Sequence, residues 1–260
     1  AGRKDEALDA GRRVLDLEPH AEADLRRAEE LFAKLGAFAD QVKAMELRGT
    51  LAEQSGDAET AVNTSFNVAE TWTVQLKKRE MALAAYDRIL AIDPKNRLAF
   101  EQLRSLAKEL GDWRRYATTA DRFLPAVTDA AEHLALLKET AKLQIEKLGQ
   151  KDLAVLTYCR AFNVAPDDPE IRTALASLAE ENDSWEELAM VYEEAAESAP
   201  KGPAAEEIYA ALAEVQDVHL DEPEAAEASL RKILEFDPAN RTALDALGKM
   251  HSRRGKDSDY

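Results

Sequence analysis

Apolar residues in this chain return every three or four positions. Leu103, Leu106, Ala107 and Leu110 do so, and Leu153, Leu156, Tyr158 and Phe162 do so again. That spacing predicts one apolar stripe along an α-helix, with charged residues on the remaining surface. Strong helix formers (Ala, Leu, Glu, Lys, Arg) dominate, and β-branched runs are scarce, so a sheet has little support. The pattern predicts about fourteen helices, near 3–17, 21–35, 38–54, 57–76, 79–92, 96–110, 113–126, 129–147, 151–164, 169–181, 184–198, 203–219, 222–236 and 240–253.

The helices repeat. Pro19, Pro94, Pro166 and Pro238 stand 75, 72 and 72 residues apart and close the similar phrases LDLEP, LAIDP, FNVAP and LEFDP. Similar phrases follow them, NRLAFEQLRSLAKELGDW from Asn96 and PEIRTALASLAEENDSW from Pro169. Pro166 to Pro200 is 34 residues and Pro200 to Pro238 is 38, so the long repeat divides into two units, each the length of a helix pair. A proline cannot continue a helix interior and so marks the turn into the next pair.

With those positions on the page, the chain resembles the tetratricopeptide repeat family. The family's second-helix signature is Ala, then an aromatic four residues on, then Pro after eight more. Ala82–Tyr86–Pro94 and Ala154–Tyr158–Pro166 match it in full, while Ala226–Leu230–Pro238 and Ala7–Gly11–Pro19 keep the spacing without the aromatic. Tyr192–Pro200 keeps the aromatic and the proline, with Leu188 for the alanine. The first-helix signature is eroded, its small turn residue surviving as Gly36, Gly111 and Gly149. The resemblance implies an all-α solenoid, a right-handed superhelix of antiparallel helix pairs like the degenerate arrays of large bacterial scaffold proteins. One array over 1–260 is expected, with units near 1–19, 20–56, 57–94, 95–128, 129–166, 167–200 and 201–238 and a partial unit at 239–260. No single pair buries its apolar faces alone, so neighbours must stack. The start at Ala1, without Met and close to a helical pattern, suggests a piece of a longer protein.

Charge is unevenly placed. The net charge is −17, and residues 166–229 hold 19 Asp and Glu against only Arg172 and Lys201. A phosphate backbone needs a basic face, so nucleic acid is not the expected partner. No apolar stretch is long enough to cross a membrane. The single Cys159 permits no internal disulfide and suits a reducing compartment, so a cytoplasmic location is expected. His20, His133, His219 and His251 form no paired ligand motif, no phosphate-binding loop is present, and carboxylates are too abundant to single out. The chain is therefore read as neither an enzyme nor a cofactor binder. Phe38, Trp113 and Trp185 recur at helix starts and are read as packing staples, with peptide stacking as the alternative; Trp72 is read as core.

The family resemblance also implies a concave groove lined by the first helix of each pair. Carried over by the turn glycine and the closing proline, it points to Glu139 and Glu146, to Glu170, Thr173, Ser177 and Glu180, and to Glu207, Glu214 and Asp217 as partner-binding residues. Such a groove would be acidic and suit a basic peptide or protein face. The function expected is a scaffold or adaptor for another protein. The alternatives are a rigid spacer or self-assembling segment, or a region that positions substrate for a catalytic domain elsewhere.

Overall fold

The computed structural model describes residues 2–18 and 20–257; Pro19, the first of the periodic prolines, lies outside them. Fourteen α-helices and no strand are present among the described residues. Contacts group the chain into two compact units, 1–128 and 129–260.

The first unit holds α1 (Gly2–Leu15), α2 (Glu22–Leu35), α3 (Phe38–Ser55), α4 (Ala58–Glu70), α5 (Arg79–Ile92), α6 (Arg97–Leu110) and α7 (Trp113–Phe123). The second holds α8 (Ala130–Glu146), α9 (Lys151–Val164), α10 (Pro169–Asn182), α11 (Trp185–Ser198), α12 (Pro203–Glu214), α13 (Pro223–Phe236) and α14 (Arg241–Asp257). Within each unit every helix packs on its sequence neighbours, so short hairpins stack in order.

Local chemistry fixes the helix ends. In α6 the Asn96 side chain accepts from the Ala99 N–H at 3.0 Å. The helix closes at Gly111 (φ 71), and Asp112 N–H then reaches Ala107 O at 2.9 Å. That left-handed cap favours a residue without Cβ. Gly36, Gly111 and Asp183 occupy this place at 75- and 72-residue intervals. Gly149 belongs to a second series with Lys77 and Asp221, all at positive φ and 72 residues apart, rather than to the turn of Gly36 and Gly111. Ahead of Lys77 and Asp221, α4 and α12 run on into π-helical turns, Thr71–Gln75 and Val215–His219.

Phe100, Leu103, Leu106 and Ala107 are the buried stripe of α6, and Phe100 stacks on Phe123 with ring centroids 3.9 Å apart. Leu110, by contrast, is exposed. In α9 the buried face is Ala154, Thr157, Tyr158, Ala161 and Phe162. Leu153 and Leu156, expected in the stripe, are exposed, because three-residue steps from Leu153 lead around the helix away from the alanine face. Ala82, Ala154 and Ala226 are fully buried, Tyr158 is buried and Tyr86 is half-buried; Pro94, Pro166 and Pro238 follow the ends of α5, α9 and α13.

Candidate functional site: an alanine-floored groove in the second unit

Three first helices, α10, α12 and α14, line a groove of about 850 Å³ in the second unit. Its floor is cut by small residues, Ala176 from α10, Ala210, Ala211 and Ala213 from α12, and Ala246 from α14. With only a methyl at these positions, the helices leave room that longer side chains would fill. The π-helical turn adds one residue to the helical ring and carries Asp217, Val218 and His219 onto the groove wall.

Two ion pairs tie neighbouring helices together at this surface. Arg172 of α10 meets Glu207 of α12 at 2.5 Å, and Arg253 of α14 meets Asp217 of the π turn at 3.0 Å. At the groove's edge the Trp185 and His219 rings stack 3.4 Å apart at 15°. Tyr192 lies deep in the wall, 2% exposed, and burial pushes its hydroxyl up to about 12, with Arg172 working against the shift and Glu214 adding to it.

Of the residues expected from the sequence, Thr173, Glu207, Glu214 and Asp217 come together in the groove. Glu170, Ser177 and Glu180 are exposed on α10 away from the lining. Glu170 is engaged instead by Lys138 and Lys142 of α8. Glu139, half-buried, and Glu146, exposed, stay on α8.

The expectation of an acidic groove does not hold. Glu207, Glu214, Asp217 and Asp245 face Arg172, Lys249 and Arg253, so the charges nearly balance. Five of the 19 acidic residues of this stretch stand on α11, where Glu186, Glu187, Glu193, Glu194 and Glu197 are exposed. Helical phase explains the difference. The buried Leu188, Tyr192 and Ala196 face inward at four-residue steps and leave the carboxylates in water.

Sequence reasoning missed Arg172, Arg253 and Tyr192. Arg172 carried a usable signal, since it is one of two cations in 166–229. Tyr192 was noted only as the repeat's aromatic. Trp113 and Trp185 are half-buried first residues of their helices, and Trp185 lines the groove. Trp72, expected in the core, is half-buried and lines a smaller cavity of about 310 Å³ with Met45, Gly49, Val68 and Arg88. Among the described residues no group of His, Cys, Asp and Glu is placed to hold a metal, and no helix is long and apolar enough to cross a membrane.

Within each unit the described helices stack in sequence order as an all-α array. Among solved structures the chain is similar to YrrB, described as a TPR protein with an unusual peptide-binding site, at 18% identity over 77% of this chain and 97% of that one, TM-score 0.32. It is also similar to the C-terminal part of a TPR repeat-containing protein from Cytophaga hutchinsonii, at 15% identity over 94% and 95% of the two chains, TM-score 0.34. A tetratricopeptide repeat protein from Parabacteroides merdae is similar at 17% identity over 96% and 99%, TM-score 0.28. No protein-family model matches the chain, and no curated protein matches it in sequence.

Proposed function

We propose that this chain is a non-catalytic scaffold that holds a segment of another protein along the α10–α12–α14 groove. The observation carrying the reading is the set of alanines from α10, α12 and α14 that line one groove together with polar side chains of the same helices. Small residues admit another backbone closely, while the polar side chains supply the hydrogen bonds that orient it. Glu214 and Asp245 have no ion pair among the described residues, so the segment would carry a basic residue against them. The near balance elsewhere argues against a uniformly basic partner, because Glu207 and Asp217 are already neutralised by Arg172 and Arg253.

Photo-crosslinking tests this. Benzoylphenylalanine is placed at Ala210 in the groove or at Glu194 on the outer face of α11, and the cross-linked segments are sequenced by mass spectrometry. One recurring segment from Ala210, lost in Ala211→Trp, is the expected result. Equal capture from Glu194, or capture that ignores Ala211→Trp, refutes the groove.

Leu153, Leu156 and Met190 favour a second reading, self-assembly, because all three are exposed apolar side chains. Light scattering across a concentration series separates the two, since the groove reading expects constant mass and self-assembly a rising one.

A further inference from the structure

Tyr192 is anchored from behind. Its ring tilts against Phe162 with centroids 4.9 Å apart, and the residue lines the groove formed by α10, α12 and α14. There it feels Arg172 and Glu214, both of which line the groove. Among the described residues the hydroxyl has no hydrogen-bond partner, and it is not one of the sealed oxygens, which are Thr64 Oγ1 and Thr140 Oγ1. It therefore opens onto the groove. A phenol set this deep normally finds a partner, as Tyr116 does in accepting from Arg104 Nε at 2.6 Å. Tyr158 is buried to the same degree, but the charges around it, Lys142 and Glu170, already pair with each other. Beside Tyr192, Arg172 is taken by Glu207 and the Glu214 carboxylate is left over.

An unpartnered oxygen and a carboxylate without an ion pair, both lining one groove, call for a cationic donor. A carboxylate would add to Glu207 and Glu214, and a neutral amide would leave Glu214 uncompensated. Between the two basic side chains, the ammonium fits better. It is a compact charge with three freely turning donors, whereas a guanidinium is a rigid plane. Ala210 and Ala211 give a four-carbon stem an apolar path down to it. We propose that Tyr192 and Glu214 form a lysine-reading subsite of the groove, in which the ε-ammonium of the bound segment donates to the Glu214 carboxylate and to Tyr192 Oη. The proposal rests on the groove reading above and adds the residue that decides which side chain is accepted.

The probes are n-butylammonium, n-propylguanidinium and butyramide, mimics of lysine, arginine and glutamine, titrated into ¹⁵N-labelled protein. The backbone amides of Thr173, Ala210, Ala211 and Glu214 are followed. Butylammonium is expected to shift them saturably and more tightly than the other two. Tyr192→Phe, which keeps the ring against Phe162, is expected to weaken it about fivefold, the worth of one hydrogen bond. Glu214→Gln, an exposed change that spares the fold, is expected to weaken it about tenfold. The subsite is overturned if these amides do not move, if propylguanidinium or butyramide binds as tightly, or if both variants bind like the parent. Cross-linking at Ala210 without butylammonium shifts would remove the subsite and leave the groove standing. Shifts without cross-links would remove the docked segment and leave a cation site.

Discussion

Thr157 and Gln144 make a buried polar pair between α9 and α8, 3% and 4% exposed, with the hydroxyl 2.9 Å from Gln144 Oε1. The same proton can also reach Leu153 C=O at 2.9 Å. Thr157→Val keeps the shape and deletes the donor. Leu153 C=O retains its helical bond, but Gln144 Oε1 is left in the core with nothing to accept from. Stranding such an acceptor costs about 1–3 kcal/mol, whereas replacing both partners by apolar groups of like shape is nearly neutral. Thr157→Val should therefore lower stability by about 1–3 kcal/mol, and Gln144→Met with Thr157→Val should recover most of it. With a urea slope of about 3 kcal/mol per molar, the single variant moves the midpoint down by roughly 0.3–1 M. Urea unfolding followed by circular dichroism on the parent, both single variants and the double variant closes the cycle. A single-variant loss under about 0.3 kcal/mol, or a double variant as weak as the sum of the singles, refutes the reasoning. The chain itself holds both solutions at 72-residue spacing. Ser229 donates to Gln216 Oε1 at 2.8 Å in one copy, and Trp72 with Ala85 takes the same two places in another.

Glycine substitutions should split in sign. A Cβ on Gly11 would sit 2.8 Å from Phe32 Cζ, and Phe32 is fully buried, so Gly11→Ala should cost about 1–3 kcal/mol despite its better helix propensity; a gain in melting temperature would refute this. A Cβ on Gly49 meets nothing closer than 3.6 Å, so Gly49→Ala should raise stability by up to about 1 kcal/mol in the same measurement. Asp168 is held below its ordinary 3.8 first by the Lys138 hydrogen bond and further by the Glu170 and Ile171 N–H groups. A carboxylate depressed on folding stabilises fully above that ordinary value and loses the contribution as pH falls through the folded one. Asp168→Asn should thus be less stable near pH 7, with the gap closing below about pH 4; a constant gap would sink the assignment. Burial pushes the Cys159 thiol up, so at about pH 8 iodoacetamide should label it at least about tenfold more slowly in the native protein than in urea.

The helices and their order were legible because they rest on local rules. Proline spacing, turn glycines and caps act within a few residues, and all of α1 to α14 lie close to where the pattern put them. The site was legible only in part. Thr173, Glu207, Glu214 and Asp217 emerged because the repeat register marks which helix faces the groove. Glu170 lies apart from them, paired with Lys138 and Lys142, cations from a helix some 30 positions earlier, and no local rule reports that meeting. The leucines of α9 failed for a related reason: several apolar stripes can be drawn on one helix, and packing buried the one that carries Ala154, Tyr158 and Ala161.

The sequence by itself determined an all-helical chain of repeated hairpins, since period and capping are properties of short segments. Only the tertiary structure decided where the charge acts. It paired Arg172 with Glu207 and Arg253 with Asp217, sent the carboxylates of α11 outward, and left Tyr192 and Glu214 unmatched in the groove. Electrostatic balance depends on distances between residues far apart in the chain, and folding alone sets those.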